Sequence, residues 1–181
     1  ASGAHVSTST NKSVAPAVVA AVSAPAAPAA AVAAPHAPVG PKVQPSEELC
    51  FRQIHPKFWS KGRLTPMAFK LKEKESGLSV SLGSKTTAGA AFEQYTKPKE
   101  QGGLGLLACG TWAVTTAECA KETCDVYEDP TAVNDAHGSI DMRHVLTDKE
   151  RRKAIESNLR TYAEERGWVH SPTPQPEGVE G

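Results

Sequence analysis

Apolar and polar positions alternate in "LCFRQI" (49–54), setting Leu49, Phe51 and Gln53 on one side of an extended chain and Cys50, Arg52 and Ile54 on the other. The run predicts a strand. His55-Pro56 ends it, because proline restricts its own backbone and that of its predecessor. "MAFKLK" (67–72) and "GLSVSL" (77–82) predict two further strands, with "EKESG" as the turn between them. From Ser84 to Tyr95 the spacing becomes helical, with a hydroxyl at the start, Phe92 and Tyr95 three apart, and Lys97-Pro98 as the stop. "KEQGG" (99–103) reads as a mobile loop, and "LGLLACGTWAVT" (104–115), the most apolar run, as a buried central strand. Thr115 followed by Glu118 forms a capping box and predicts a short helix over "TAECAKET" (116–123). "CDVY" (124–127) and "GSIDM" (138–142) return to extended chain. A second capping box, Thr147 with Glu150, opens the last helix, where Ile155, Leu159, Tyr162 and Ala163 share a face. Gly167 stops it, and Trp168 can fold back on the last turn. Strands and helices mixed without strict alternation predict an α+β fold: a small mixed or antiparallel sheet with about three helices.

Composition divides the chain. Positions 1–46 hold no Asp, Glu, Phe, Trp or Tyr, and Lys12 and Lys42 are their only Lys or Arg residues. Short Ala/Pro units there supply too little bulk for a core and predict an extended or disordered arm or linker. The sequence thus divides into an arm (1–46), a single α+β domain (47–169) and a disordered tail (170–181). Pro16, Pro25, Pro28, Pro35 and Pro38 interrupt the one long Ala/Val-rich stretch, which excludes a membrane-spanning helix there. From Glu47 onward, 18 basic residues stand against 20 acidic ones, a balance that argues against nucleic-acid coating. Cys50, Cys109, Cys119 and Cys124 lack paired zinc-ligand spacing and read as buried or free thiols. A soluble, cytoplasmic bacterial protein is the expectation, with an organelle after transit-peptide removal as the alternative.

Two polar sets remain. Arg52, His55, Arg63, Thr65 and Ser79 gather near the first strand, where a planar guanidinium and hydroxyls could hold an anion. The plainer alternative pairs Arg52 with a carboxylate and leaves His55 to satisfy a turn. The second set is Asp129, Asn134, Asp135, His137, Asp141 and His144. His137 could act as a general base if a carboxylate orients it. On one strand, however, His137 and Asp141 would lie about 13 Å apart, so no shared metal is expected.

The motifs "FRQIHPKF", "GRLTPMAF", "GLSVSL", "TTAGAAFEQY", "WAVTTAEC", "HGSIDM" and "RRKAIESNLRTYAEERGW" stand in order from Phe51 to Trp168. In them the chain resembles a group of small uncharacterised bacterial proteins with RQIHP, GR, AF, LSV and RGW motifs. The charged "KLKEKES" departs from the proline-containing turn of that pattern. The resemblance implies no activity. No Walker loop, G-x-G-x-x-G, H-E-x-x-H or G-x-S-x-G occurs. The expected function is a non-catalytic accessory or protein-interaction module, tethered by its arm to a protein partner or larger assembly, with no cofactor, metal or nucleic acid. The alternative is a small NAD-using, ADP-ribosyltransferase-like enzyme or toxin-type effector. Arg52 would then clamp phosphate, Ser79 or Thr65 support the ribose and Tyr95 stack nicotinamide, with His55 and His137 as further candidates.

Overall fold

The computed structural model describes residues 37–172, so the arm up to position 36 and the tail from 173 lie outside the described residues. In chain order the strands and helices are β1 (Lys42–Val43), β2 (Leu49–Ile54), β3 (Trp59–Ser60), β4 (Arg63–Leu64), β5 (Gly77–Leu82) and α1 (Ala88–Thr96). They continue with β6 (Gly110–Thr115), α2 (Thr116–Lys121), β7 (Val126–Glu128), β8 (His137–Asp141) and α3 (Lys149–Arg166). The fold is α+β. Six strands form an antiparallel sheet in the order β1-β7-β8-β5-β2-β6, and β3 and β4 make a separate hairpin.

Alternation on the strands separates two apolar layers. Cys50 and Ile54 of β2, Leu78, Val80 and Leu82 of β5, Trp112 and Val114 of β6 and Ile140 of β8 face one way. They meet Ile155, Leu159 and Ala163, one stripe of α3, with Phe69 filling the layer from a loop. Phe51 and Ala113 face the other way, against Ala91 of α1. Asp148 caps α3 by accepting from the Arg151 N–H, and Gly167, at φ 76°, takes the left-handed backbone that ends it. The Thr115/Glu118 capping box is complete on α2.

Several expectations are corrected. The cap of α3 is Asp148 rather than Thr147, and α1 begins after Thr87 rather than at Ser84, because residues 82–86 form turns with Lys85 and Thr86 N–H groups on Leu82 O. "MAFKLK" is not a strand. Pro66 favours a turn at this point, and the Ala68 N–H on Thr65 O and the Lys70 N–H on Met67 O are bonds of turns rather than of a strand ladder. "KEQGG" is ordered as a turn of 3-10 helix at Lys99–Gln101, with the Gly102 N–H on Lys99 O and the Gly103 N–H on Pro98 O, and the chain after it bonds back onto the end of α1 through Leu104 N–H to Gln94 O and Leu106 N–H to Tyr95 O. Of the run 104–115, only Gly110–Thr115 is strand, and it is the sheet's outer strand rather than a central one. It is nonetheless buried throughout, because α3 and the chain at 168–170 cover its free side. The sheet also begins at Lys42, inside the segment 1–46, where β1 pairs with β7.

Candidate functional site

Strands β2 and β5 pair only at Cys50↔Leu82 and Phe51↔Ser81. Beyond that, β2 stays with β6 as far as Ile54↔Gly110, and β5 stays with β8 as far as Gly77↔Asp141. The sheet therefore forks. Arg52 sits in the fork: its Nε donates to Ala68 O at 2.7 Å and its Nη1 to Ser79 O at 2.9 Å, a carbonyl beside the parted strand. The guanidinium also lies 5.5 Å from the centre of the Phe69 ring. Burial lowers the pKa of Arg52, an effect partly opposed by the nearby Tyr95 and Glu75 charges. From so high a starting value, the group stays cationic at neutral pH. No carboxylate lies within ion-pair distance of it among the described residues.

The fork opens into a cleft of about 680 Å³. On its sheet side, Phe51 and Gln53 of β2 stand beside Ser79 and Ser81 of β5 and His137 of β8. Helix α1 covers the Phe51 end of this face and contributes Tyr95 to the wall. Leu104 and Leu106 continue that wall, while Thr131, Val133 and Asn134 come from the loop between β7 and β8. Gln94 ties the two loops together, its Nε2 donating to Gly102 O at 3.0 Å and Val133 O at 2.7 Å. Leu106 and Val133 are 45% and 55% exposed, which leaves an apolar rim. Lys57, Lys72 and Arg52 give three cationic linings against one carboxylate, Glu75, already paired with Lys72 at 3.0 Å.

Both cleft histidines have one nitrogen fixed. His55 Nδ1 accepts from the Lys57 N–H at 3.1 Å, so the neutral ring carries its proton on Nε2. His137 Nδ1 lies 2.6 Å from Asp129 O, which can only accept, so the proton is on Nδ1 and neutral Nε2 is an acceptor. The Asp129 carboxylate stands 3.7 Å from the same nitrogen. Gln53 is the unusual member. Thr111 Oγ1 donates to its Oε1 at 2.5 Å, while its Nε2 is buried with no hydrogen-bond partner.

Among the six site candidates read from sequence, Arg52, His55, Ser79, Tyr95 and His137 line this one cleft. Thr65 does not; it belongs to the turn before Ala68, and its hydroxyl is buried without a partner. Arg63 does not line it either and pairs with Glu164 at 3.5 Å in a separate hollow of about 440 Å³. The second polar set disperses. Asn134 reaches the cleft and Asp129 backs His137. Asp141 is held bidentately by Arg143, His144 contacts Thr123, and Asp135 is exposed. Among the described residues, no three His, Cys, Asp or Glu side chains gather to hold a metal ion. Sequence reasoning missed Gln53, Lys57, Lys72 and Ser81. For Gln53 the signal was present, since it is the polar member of the Leu49, Phe51, Gln53 face.

Among the described residues no helix is long and apolar enough to cross a membrane. Comparison of the chain with protein-family models, with curated proteins and with solved structures finds no match in any of the three.

Proposed function

We propose that the domain is a non-catalytic recognition module that takes its ligand in the forked cleft and serves as an accessory part of a larger assembly, tethered through its Ala/Pro-rich N-terminal segment. One observation carries this reading. Side chains from positions as far apart as Arg52 and His137 meet around a single cleft whose volume of about 680 Å³ suits a small ligand. Its polar groups are fixed before any ligand arrives: Arg52 by two backbone carbonyls, His137 by Asp129 O and the two wall loops by Gln94. Preorganisation of this kind favours binding, because little freedom is left to lose.

The second reading, a small NAD-using enzyme of ADP-ribosyltransferase type, draws on the same cleft, where Arg52, Ser79 and Tyr95 stand together. One experiment separates the two. The full chain, labelled with ¹⁵N, is screened against a fragment collection by amide chemical shift and incubated in parallel with NAD. Recognition predicts saturable shifts confined to the fork and its two wall loops, with no release of nicotinamide. Nicotinamide release that tracks the protein concentration overturns the non-catalytic reading, and shifts scattered away from the cleft overturn the site.

A further inference from the structure

We infer that the ligand is a small organic anion, a carboxylate or phosphate monoester carried on a flat apolar body, with its anionic end seated on Arg52; this rests on the recognition reading above. One donor in the fork lacks an acceptor. Arg52 spends Nε and Nη1 on backbone carbonyls, which fixes the plane of the guanidinium, and its Nη2 has no partner among the described residues. A guanidinium held in one plane with a donor to spare, and with no carboxylate in ion-pair distance among the described residues, is fitted to an anionic oxygen. Bonds from a guanidinium to a charged acceptor are the stronger kind.

The charge around the fork has the sign an anion needs. Lys57 joins Arg52 in the lining, and the one carboxylate there, Glu75, is neutralised by Lys72. The rest of the cleft is suited to a ring rather than to a second charge. Tyr95, Leu106 and Val133 line it, and the exposed parts of Leu106 and Val133 continue this apolar surface to the rim. The volume limits the occupant to a single small molecule.

The test uses the full chain and four probes: benzoate, phenyl phosphate, neutral benzamide and inorganic phosphate. Titration calorimetry and amide shifts should show benzoate or phenyl phosphate binding in the cleft about tenfold or more tighter than benzamide or inorganic phosphate. Which of the two anions binds more tightly assigns carboxylate or phosphate. Arg52→Lys, which removes the planar fork, should weaken the anion about tenfold. Because Arg52 also braces the fold, Lys57→Met, at an exposed position of the lining, serves as a second variant and should weaken the anion while leaving benzamide unchanged. Benzamide binding in the cleft as tightly as benzoate overturns the anionic ligand and leaves the recognition reading standing. All four probes failing while the wider fragment set still marks the cleft does the same. A cleft silent to every compound overturns both.

Discussion

Removing the Thr111 hydroxyl tests the polar floor of the cleft at its most constrained point. Thr111 is 0% exposed, and its Oγ1 donates to Gln53 Oε1 at 2.5 Å. Thr111→Val keeps the side-chain shape and deletes the donor. Gln53, whose Nε2 already lacks a partner, would then have neither amide atom bonded within the protein. Losing a neutral hydrogen bond and leaving a buried acceptor unmet costs about 1–3 kcal/mol. Gln53→Met alone leaves the Thr111 hydroxyl unmet and should cost a similar amount. In the double variant both partners are apolar, and the loss should fall short of the sum of the two single losses by about 1 kcal/mol or more. Urea unfolding followed by tryptophan emission gives each value, with an unchanged slope as the check that only stability moved. A Thr111→Val protein within about 0.3 kcal/mol of the parent, or a cycle that is simply additive, refutes the reasoning.

Three further outcomes are expected. Burial pushes the Glu118 carboxyl up, but donation from Arg166 and from the Thr115 N–H outweighs it and holds the pKa below its usual value. Its stabilisation is therefore complete above the unfolded pKa of about 4.3 and is lost as pH falls through the folded one. Glu118→Gln should cost about 1.5–3 kcal/mol at pH 7 and flatten the acid limb of the stability curve, and an unchanged limb in urea titrations from pH 6 downward contradicts this. A Cβ on Gly110 would overlap the Trp168 ring, so Gly110→Ala must drive Trp168 off Trp112. Red-shifted tryptophan emission and a lower Tm should follow, and an unshifted spectrum counts against the packing described. The contact with Cys50 and burial push the Cys119 thiol up, burial pushes Cys124 up to about 12, and Cys109 is raised more modestly by its partial burial. Iodoacetamide at pH 8 should therefore add at most one group, at Cys109, to the native protein and four after denaturation; two or more native adducts by mass spectrometry would refute it.

Local pattern made much of the fold legible. The two faces of β2, the capping box of α2 and the apolar stripe of α3 all depend on neighbours within a few residues, and each has the structure its spacing implies. The errors lie where distant chain decides. Gly110–Thr115 looked central because it is wholly apolar or hydroxyl-bearing and buried, yet its burial comes from α3 and from His170, which bonds Thr111 across the outer edge. "MAFKLK" alternates as a strand should, but Pro66 turns it, and Phe69 fills a core layer built from four other strands. The cleft was half legible. Arg52 and His55 could be grouped because they fall near one another in sequence, and Ser79 was joined to them from the later strand; His137 was grouped with Asp141 instead, and strand pairing places it opposite Ser81.

The cleft follows from how far each neighbour covers the β2–β5 face. Helix α1 brings only small side chains, Ala88 and Ala91, against Phe51 and Ala113, and it can pack closely there. One step further along β2 the outward residue is Gln53, and across the sheet it is Ser79, Ser81 and His137, so no apolar face remains for a helix to bury. The turn at 65–68 delivers Ala68 and Phe69 to the fork, where the Ala68 carbonyl takes one donor of Arg52 and keeps β2 and β5 apart. Arg52 thus holds the fork open from within, and the group that shapes the cleft is also the strongest donor in it. Thr111 couples the same floor to the end of the described chain, since its side chain holds Gln53 while its backbone pairs with Val169 and His170. Loosening the segment after α3 should therefore reach the cleft through one side chain, with no movement of α1 required.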